Sequence, residues 1–165
     1  MIIVVKNDDG SCSIVHPEPE MFDINSRTRQ NLAAAGHIFK TDEEILDFII
    51  DLNNLQGKNY RIASKSILPA NKDFRAAWTD DLDTDTVDID IQKAKEIHKN
   101  TLRALRKPVL DKLDVEYMKA DEAGDEEGKK SIAQKKQSLR DITSLEMPSD
   151  LTELKNFIPD ILKNG

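Results

Sequence analysis

One cysteine, one tryptophan and an aromatic content of 5% in 165 residues set the first limits. The single thiol, Cys12, excludes an intramolecular disulfide framework and a cysteine-based zinc site, and it suits a reducing compartment. So few aromatic rings leave a modest, mostly aliphatic core and little on which nucleobases stack. Six glycines and six prolines are too few for a low-complexity linker protein, and no internal repeat is visible. Long apolar runs are also missing. The longest covers residues 1–5, far short of a membrane span, and no charged-then-apolar leader precedes it. The expectation is a folded chain without membrane insertion, made and used in a cytoplasm or carried out of it inside an assembly.

Positive charge is scarce as well. The net charge of −7 argues against a general polyanion binder, which needs basic residues concentrated on one surface. Residues 1–89 hold nine Lys/Arg against sixteen Asp/Glu, residues 90–142 thirteen against eleven, and residues 143–165 two against four. Only the middle segment has a positive balance. Seven basic residues lie between Lys93 and Lys112, but no aromatics interleave with them, so they read as the charged face of an amphipathic helix and not as a nucleic-acid site.

What is present reads as α+β. β-branched residues 2–5, the turn Asn7-Asp8-Asp9-Gly10 and residues 12–15 form a hairpin signal, which Pro17 and Pro19 end. Residues 25–35 have weak helical character, stopped by Gly36. Thr41 and Glu44 make a capping box, opening a helix whose expected buried face is Ile45, Leu46, Phe48, Ile49 and Leu52. Residues 60–63 read as a strand, and residues 66–68 as a second short strand or an approach to Pro69. These elements make a small α+β unit over residues 1–70, with Phe48 and Ile45 as the contacts from helix to sheet.

Residues 71–89 read as an aromatic seam and an acidic linker. Phe74 and Trp78 are expected to plug the seam between the two halves of the chain. Asp80, Asp81, Asp83, Asp85, Asp88 and Asp90 follow. The spacing of Asp81, Asp83 and Asp85 imitates the opening of a calcium loop, but Thr86 stands where a glycine is needed and Gln92 where a bidentate glutamate is needed. The segment therefore reads as solvated, with Asp90 or Asp88 capping the next helix.

Residues 90–143 read as a helical hairpin. Ile91, Ala94, His98, Leu102, Leu105, Val109, Leu113, Tyr117 and Ala120 recur every three or four positions on one face. Pro108 predicts a kink, or two abutting helices, because it removes one backbone hydrogen bond. Ala123-Gly124-Asp125 makes the turn. The return helix carries Ile132, Leu139 and Ile142 with Lys136 between them, so this lysine must snorkel. Residues 144–165 hold a short helix, capped by Ser149 or Asp150 and stopped by Pro159, and a tail. At about 1.5 Å per residue, the first arm is roughly 50 Å and the return arm roughly 25 Å, so the return arm reaches only the part after Pro108. His98, Leu102 and Leu105 need another cover: the N-terminal unit, the C-terminal segment or a second chain. With Arg103, Arg106, Phe74 and Trp78, they are the expected partner-binding residues. The sequence offers no nucleophile elbow, phosphate-cradling loop or paired-histidine motif, so no catalytic residue, cofactor site or metal site is expected.

Three stretches carry a resemblance: NKDFRAAW from Asn71, KAKEIHKNTLRALRKPVLDKLDVEYMKADEAGD from Lys93, and KKQSLRDIT from Lys135. Together they resemble small proteins that tailed bacteriophages encode near their tail-fibre genes. The order is a basic helix with R-x-x-R-x-P-x-L-x-x-L-D, a turn and a closing K-Q-x-L-R-D-I, which is similar to the YRQALRDI end of phage tail assembly chaperones. The chain departs from that pattern in having a lysine where the family has an aromatic, a longer inter-helix segment and a full N-terminal unit. The resemblance implies a non-enzymatic viral protein in the virion tail, or in the host cytoplasm during assembly. It would bind other tail or fibre proteins, or further copies of itself as a homo-oligomer. On this reading it is a structural component or adaptor, or a fibre-assembly chaperone absent from the virion. A different class is a small phage regulator that binds a host protein or nucleic acid.

Overall fold

A computed structural model describes residues 1–163; Asn164 and Gly165, the end of the tail placed at 144–165, lie outside the described residues. The chain is α+β and divides into two compact units. The first comprises Met1–Ala70 and Trp78–Ile89; the second comprises Asn71–Ala77 and the chain from Asp90 onward. The segment 71–89 is thus not a linker. It is shared between the two units, with the division falling between Ala77 and Trp78.

The first unit is built on β1 (Ile2–Lys6), paired antiparallel on one side with β2 (Cys12–Val15) and on the other with β3 (Tyr60–Ala63). The hairpin register runs from Ile3 opposite Val15 to Lys6 opposite Cys12. Gly10 closes the turn at φ +78°, a conformation in which side chains other than glycine are strained. Alternation sends Ile3 and Val5 to one face of the sheet and Ile2 and Val4 to the other.

Helix α1 (Arg27–Ala34) starts at Ser26, whose hydroxyl accepts from the Arg29 amide, and α2 (Asp42–Leu52) starts at Thr41, whose hydroxyl accepts from the Glu44 amide. The Glu44 carboxylate accepts from the Lys40 amide at 2.5 Å, one residue before the position a capping box specifies. Ile45, Ile49 and Ile50 of α2 pack with Ile3, Val5, Met21 and Leu55. The expected face was wrong at its end, because Leu52 is exposed. The helix stops there, and a left-handed Asn54 turns the chain so that Leu55 enters the core instead.

Both sheet faces are covered. Trp78, in the short antiparallel pair β4 (Trp78–Thr79) and β5 (Asp88–Ile89), and Val87, just before β5, pack with Ile2 and Val4. Residues 65–67 form a 3-10 turn capped by Ser64, not a strand.

The second unit is organised by α3 (Ile91–Glu122), whose N-cap Asp90 accepts from the amides of Gln92 and Lys93. The helix is continuous through Pro108, so the two-helix alternative is not what forms. Ala104, whose carbonyl loses its helical donor there, is exposed, as is Pro108. After the turn at Gly124, φ +69°, Asp125 caps α4 (Glu126–Asp141) through the Gly128 amide at 2.8 Å. A side chain at Gly128 would collide with that carboxylate. Leu113, Leu139 and Ile142 are buried, and α3 packs against α4. A 3-10 turn (Ile142–Ser144) leads to α5 (Leu151–Asn156), capped by Asp150, and to α6 (Asp160–Lys163).

Candidate functional site

The residues expected to meet a partner fall into three groups. Leu102 is fully buried and His98 is 5% exposed, so the part of α3 before Pro108 is not open. Of the three covers considered, the C-terminal segment contributes within this unit. α3 packs on α5, on α6 and also on a 3-10 turn (Arg75–Ala77) of the same unit, the His98 Nε2–H donates to the Phe157 carbonyl at 2.8 Å, and Lys95 reaches Ser149 at 3.1 Å. Because a carbonyl only accepts, the contact fixes the proton on Nε2. His98 is a packed, hydrogen-bonded core histidine, and the expectation that Leu102 and His98 form a docking stripe is corrected.

The aromatic pair is likewise not presented at the surface. Trp78 belongs to the core of the first unit, against Ile2, Val4 and Val87, while Phe74 is buried in the second. Arg106 is committed within its own unit, donating to the carbonyls of Leu139 at 3.3 Å and Arg140 at 2.8 Å. These are carbonyls of the last turn of α4, which lack helical donors and carry the negative end of the dipole. Of the seven expected residues, Arg103 and Leu105 alone are classed as exposed, with Leu105 45% accessible.

Sequence reasoning missed the opposite side of α3. Thr101, Ala104, Pro108, Asp111, Val115, Met118 and Glu122 recur at alternating steps of three and four and are all exposed. Val115 is 46% and Met118 56% accessible. The signal was legible in the spacing, but the inward stripe on the same helix is richer in large apolar residues and drew the assignment. Lys107 lies beside this face, paired with Asp111 at 2.8 Å, and this contact raises the Lys107 pKa. Lys99 makes a similar pair with Glu96, whose pKa the lysine lowers. The basic run is therefore partly neutralised from within.

In the first unit, the aspartate run closes on a buried ion pair. Arg61 grips Asp80 through Nε–Oδ2 and Nη2–Oδ1, both 2.9 Å, and donates to the carbonyls of Thr84 and Thr86. Asp81 turns its own loop by accepting from the amides of Asp83 and Thr84, and these hydrogen bonds lower its pKa. The first carboxylate of the imitation calcium loop is thus spent on a backbone turn. Among the described residues no group of three or more His, Cys, Asp or Glu is placed to hold a metal ion.

A groove of about 330 Å³ in the second unit is lined by Val109, Leu113, Leu139 and Ile161, with Lys112 and Lys135 at its edge. Among the described residues no helix is long and apolar enough to cross a membrane. Compared with protein-family models, with curated proteins and with solved structures, the chain matches none.

Proposed function

We propose that the chain is a non-catalytic bacteriophage tail protein that works by protein–protein contact, as a virion component or adaptor in the tail or fibre. The observation that carries the proposal is the resemblance of the stretches starting at Asn71, Lys93 and Lys135 to phage tail-fibre-associated and tail assembly chaperone proteins. Support comes from how these stretches are distributed. Apart from Trp78, all three fall in the second compact unit, so the resemblance follows one structural body. The helical hairpin gives that body a long exposed helix face, the kind of surface on which partner proteins dock.

Mass spectrometry of purified virions, together with affinity capture of the full chain from infected cells, tests this reading. A component of the tail is found in virions at fixed stoichiometry with other tail proteins. Capture of a fibre protein with absence from virions supports the assembly-chaperone form. Absence from virions together with capture of host proteins or DNA alone rejects a tail role and favours a phage regulator.

A further inference from the structure

The outward face of α3 has two properties that point to one occupant. The first is steric. Thr101 and Ala104 in the first half of the stripe are small, whereas Val115 and Met118 in the second half are large, and all four are exposed. The second is electrostatic. Lys107, Asp114 and Asp121, which pair within the chain with Asp111, Lys136 and Lys129, follow one another at seven-residue spacing along one flank of the stripe, with the positive charge in the first half and the negative charges in the second. Over the whole helix, residues 93–107 carry six Lys/Arg against one acid, and residues 111–122 carry five acids against two lysines. A helix polarised in both size and charge is complementary to itself reversed.

We propose that this face is a homotypic docking site on which a second copy of the chain packs antiparallel, α3 against α3. With the two-fold axis near Pro108 and Asp111, Val115 lies over Ala104 of the second copy and Met118 over Thr101. In antiparallel helix pairs each flank meets the same flank of its neighbour, so Lys107 meets Asp114 of the second copy, twice by symmetry. A parallel pair would instead set Lys107 against Lys112 of the second copy. The opposite flank, Leu105, Lys112 and Lys119, has no acid, and its lysines extend into solvent. One helix-on-helix contact buries less than a standard interface, so the dimer forms at high micromolar concentration and is weakened by salt. The inference is independent of the tail reading, since it concerns the purified chain alone.

Sedimentation equilibrium of the full chain at low and high salt tests it, with three variants. The wild type is expected to dimerise reversibly, and V115D to remain monomeric. K107E and D114K, each of which sets like charges together, are expected to weaken self-association by about tenfold or more. Mixing K107E with D114K restores two attractive contacts and recovers a heterodimer. Circular dichroism checks each fold, and recovery on mixing requires that both variants be folded. A wild type that stays monomeric at high micromolar concentration overturns the proposal. So does a dimer indifferent to V115D, or a mixture no stronger than its components.

Discussion

Arg61 and Asp80 lie nineteen residues apart and form a two-point ion pair whose carboxylate is fully buried and whose guanidinium side chain is 20% exposed. The same guanidinium binds two carbonyls of the loop that follows Asp80, so one side chain from β3 fixes the whole aspartate segment. Removing the acid leaves a largely desolvated cation. Asp80→Ala is therefore expected to cost the first unit about 2 to 4 kcal/mol, somewhat below a fully buried pair because Arg61 retains some water. Asp83→Ala and Asp85→Ala, at exposed positions, should stay within about 0.5 kcal/mol. Urea denaturation of the three variants checks the contrast, and equal losses would mean that the segment is held by its charge as a whole.

Cys12 sits on the same sheet face. Burial, and then the Asp80 carboxylate, push its thiol up from 9.0 to about 11, with Arg61 opposing. Between those values the unfolded chain has released a proton that the folded chain keeps, so stability falls as pH rises through that window. Cys12→Ala should flatten this alkaline slope. Iodoacetamide should also label the folded protein far more slowly at mildly alkaline pH than the denatured one. A thiol that reacts at the same rate in both states would contradict the placement.

The two outcomes show why some of the fold was legible and some was not. The hairpin, the Thr41 cap, the long helix and its turn are local, set by residue types within a few positions of each other, and each forms. The fate of the acidic run depends on Arg61 across nineteen residues, and no periodicity announces such a partner. The burial of His98, Leu102, Phe74 and Trp78 was hidden for the same reason. That Leu102 needs a cover followed from arm lengths, but what supplies it depends on how the 3-10 turn Arg75–Ala77 and the chain after Ile142 come back onto α3. Arg106 looked like part of a solvated basic face because its carbonyl acceptors lie thirty-three and thirty-four residues away.

That Lys136 must snorkel was legible; its partners were not. It interrupts the apolar stripe of α4, and its ammonium emerges to pair with Asp114 and to sit 5.4 Å from the centre of the Tyr117 ring, leaving the side chain 17% exposed. Its stem does the packing and its charge finds a rim. Lys136→Met keeps the stem and should stay within about 1 kcal/mol of the wild type, since a partly buried ion pair contributes little over an apolar replacement. Lys136→Glu puts a carboxylate against Asp114 and should lose about 1 to 3 kcal/mol. Thermal denaturation that ranks Lys136→Met below Lys136→Glu would contradict both the packing of the stem and the repulsion expected from Asp114.

Leu102 and Leu105 stand one turn apart on the same helix and separate burial from exposure. Leu102 is fully buried and Leu105 is 45% accessible. Leu102→Ala should cost about 2 to 5 kcal/mol, the range for a truncated core leucine. Leu154→Ala, whose side chain in the C-terminal helix is also fully buried, should fall in the same range. Leu105→Ala should lose less than about 1 kcal/mol, because little of its burial is at stake. Helical circular dichroism in a urea series measures all three. If the C-terminal segment is a working part of this core, ending the chain at Ser149 must also lower the midpoint of the hairpin. An unchanged midpoint would place α5 outside the cooperative unit.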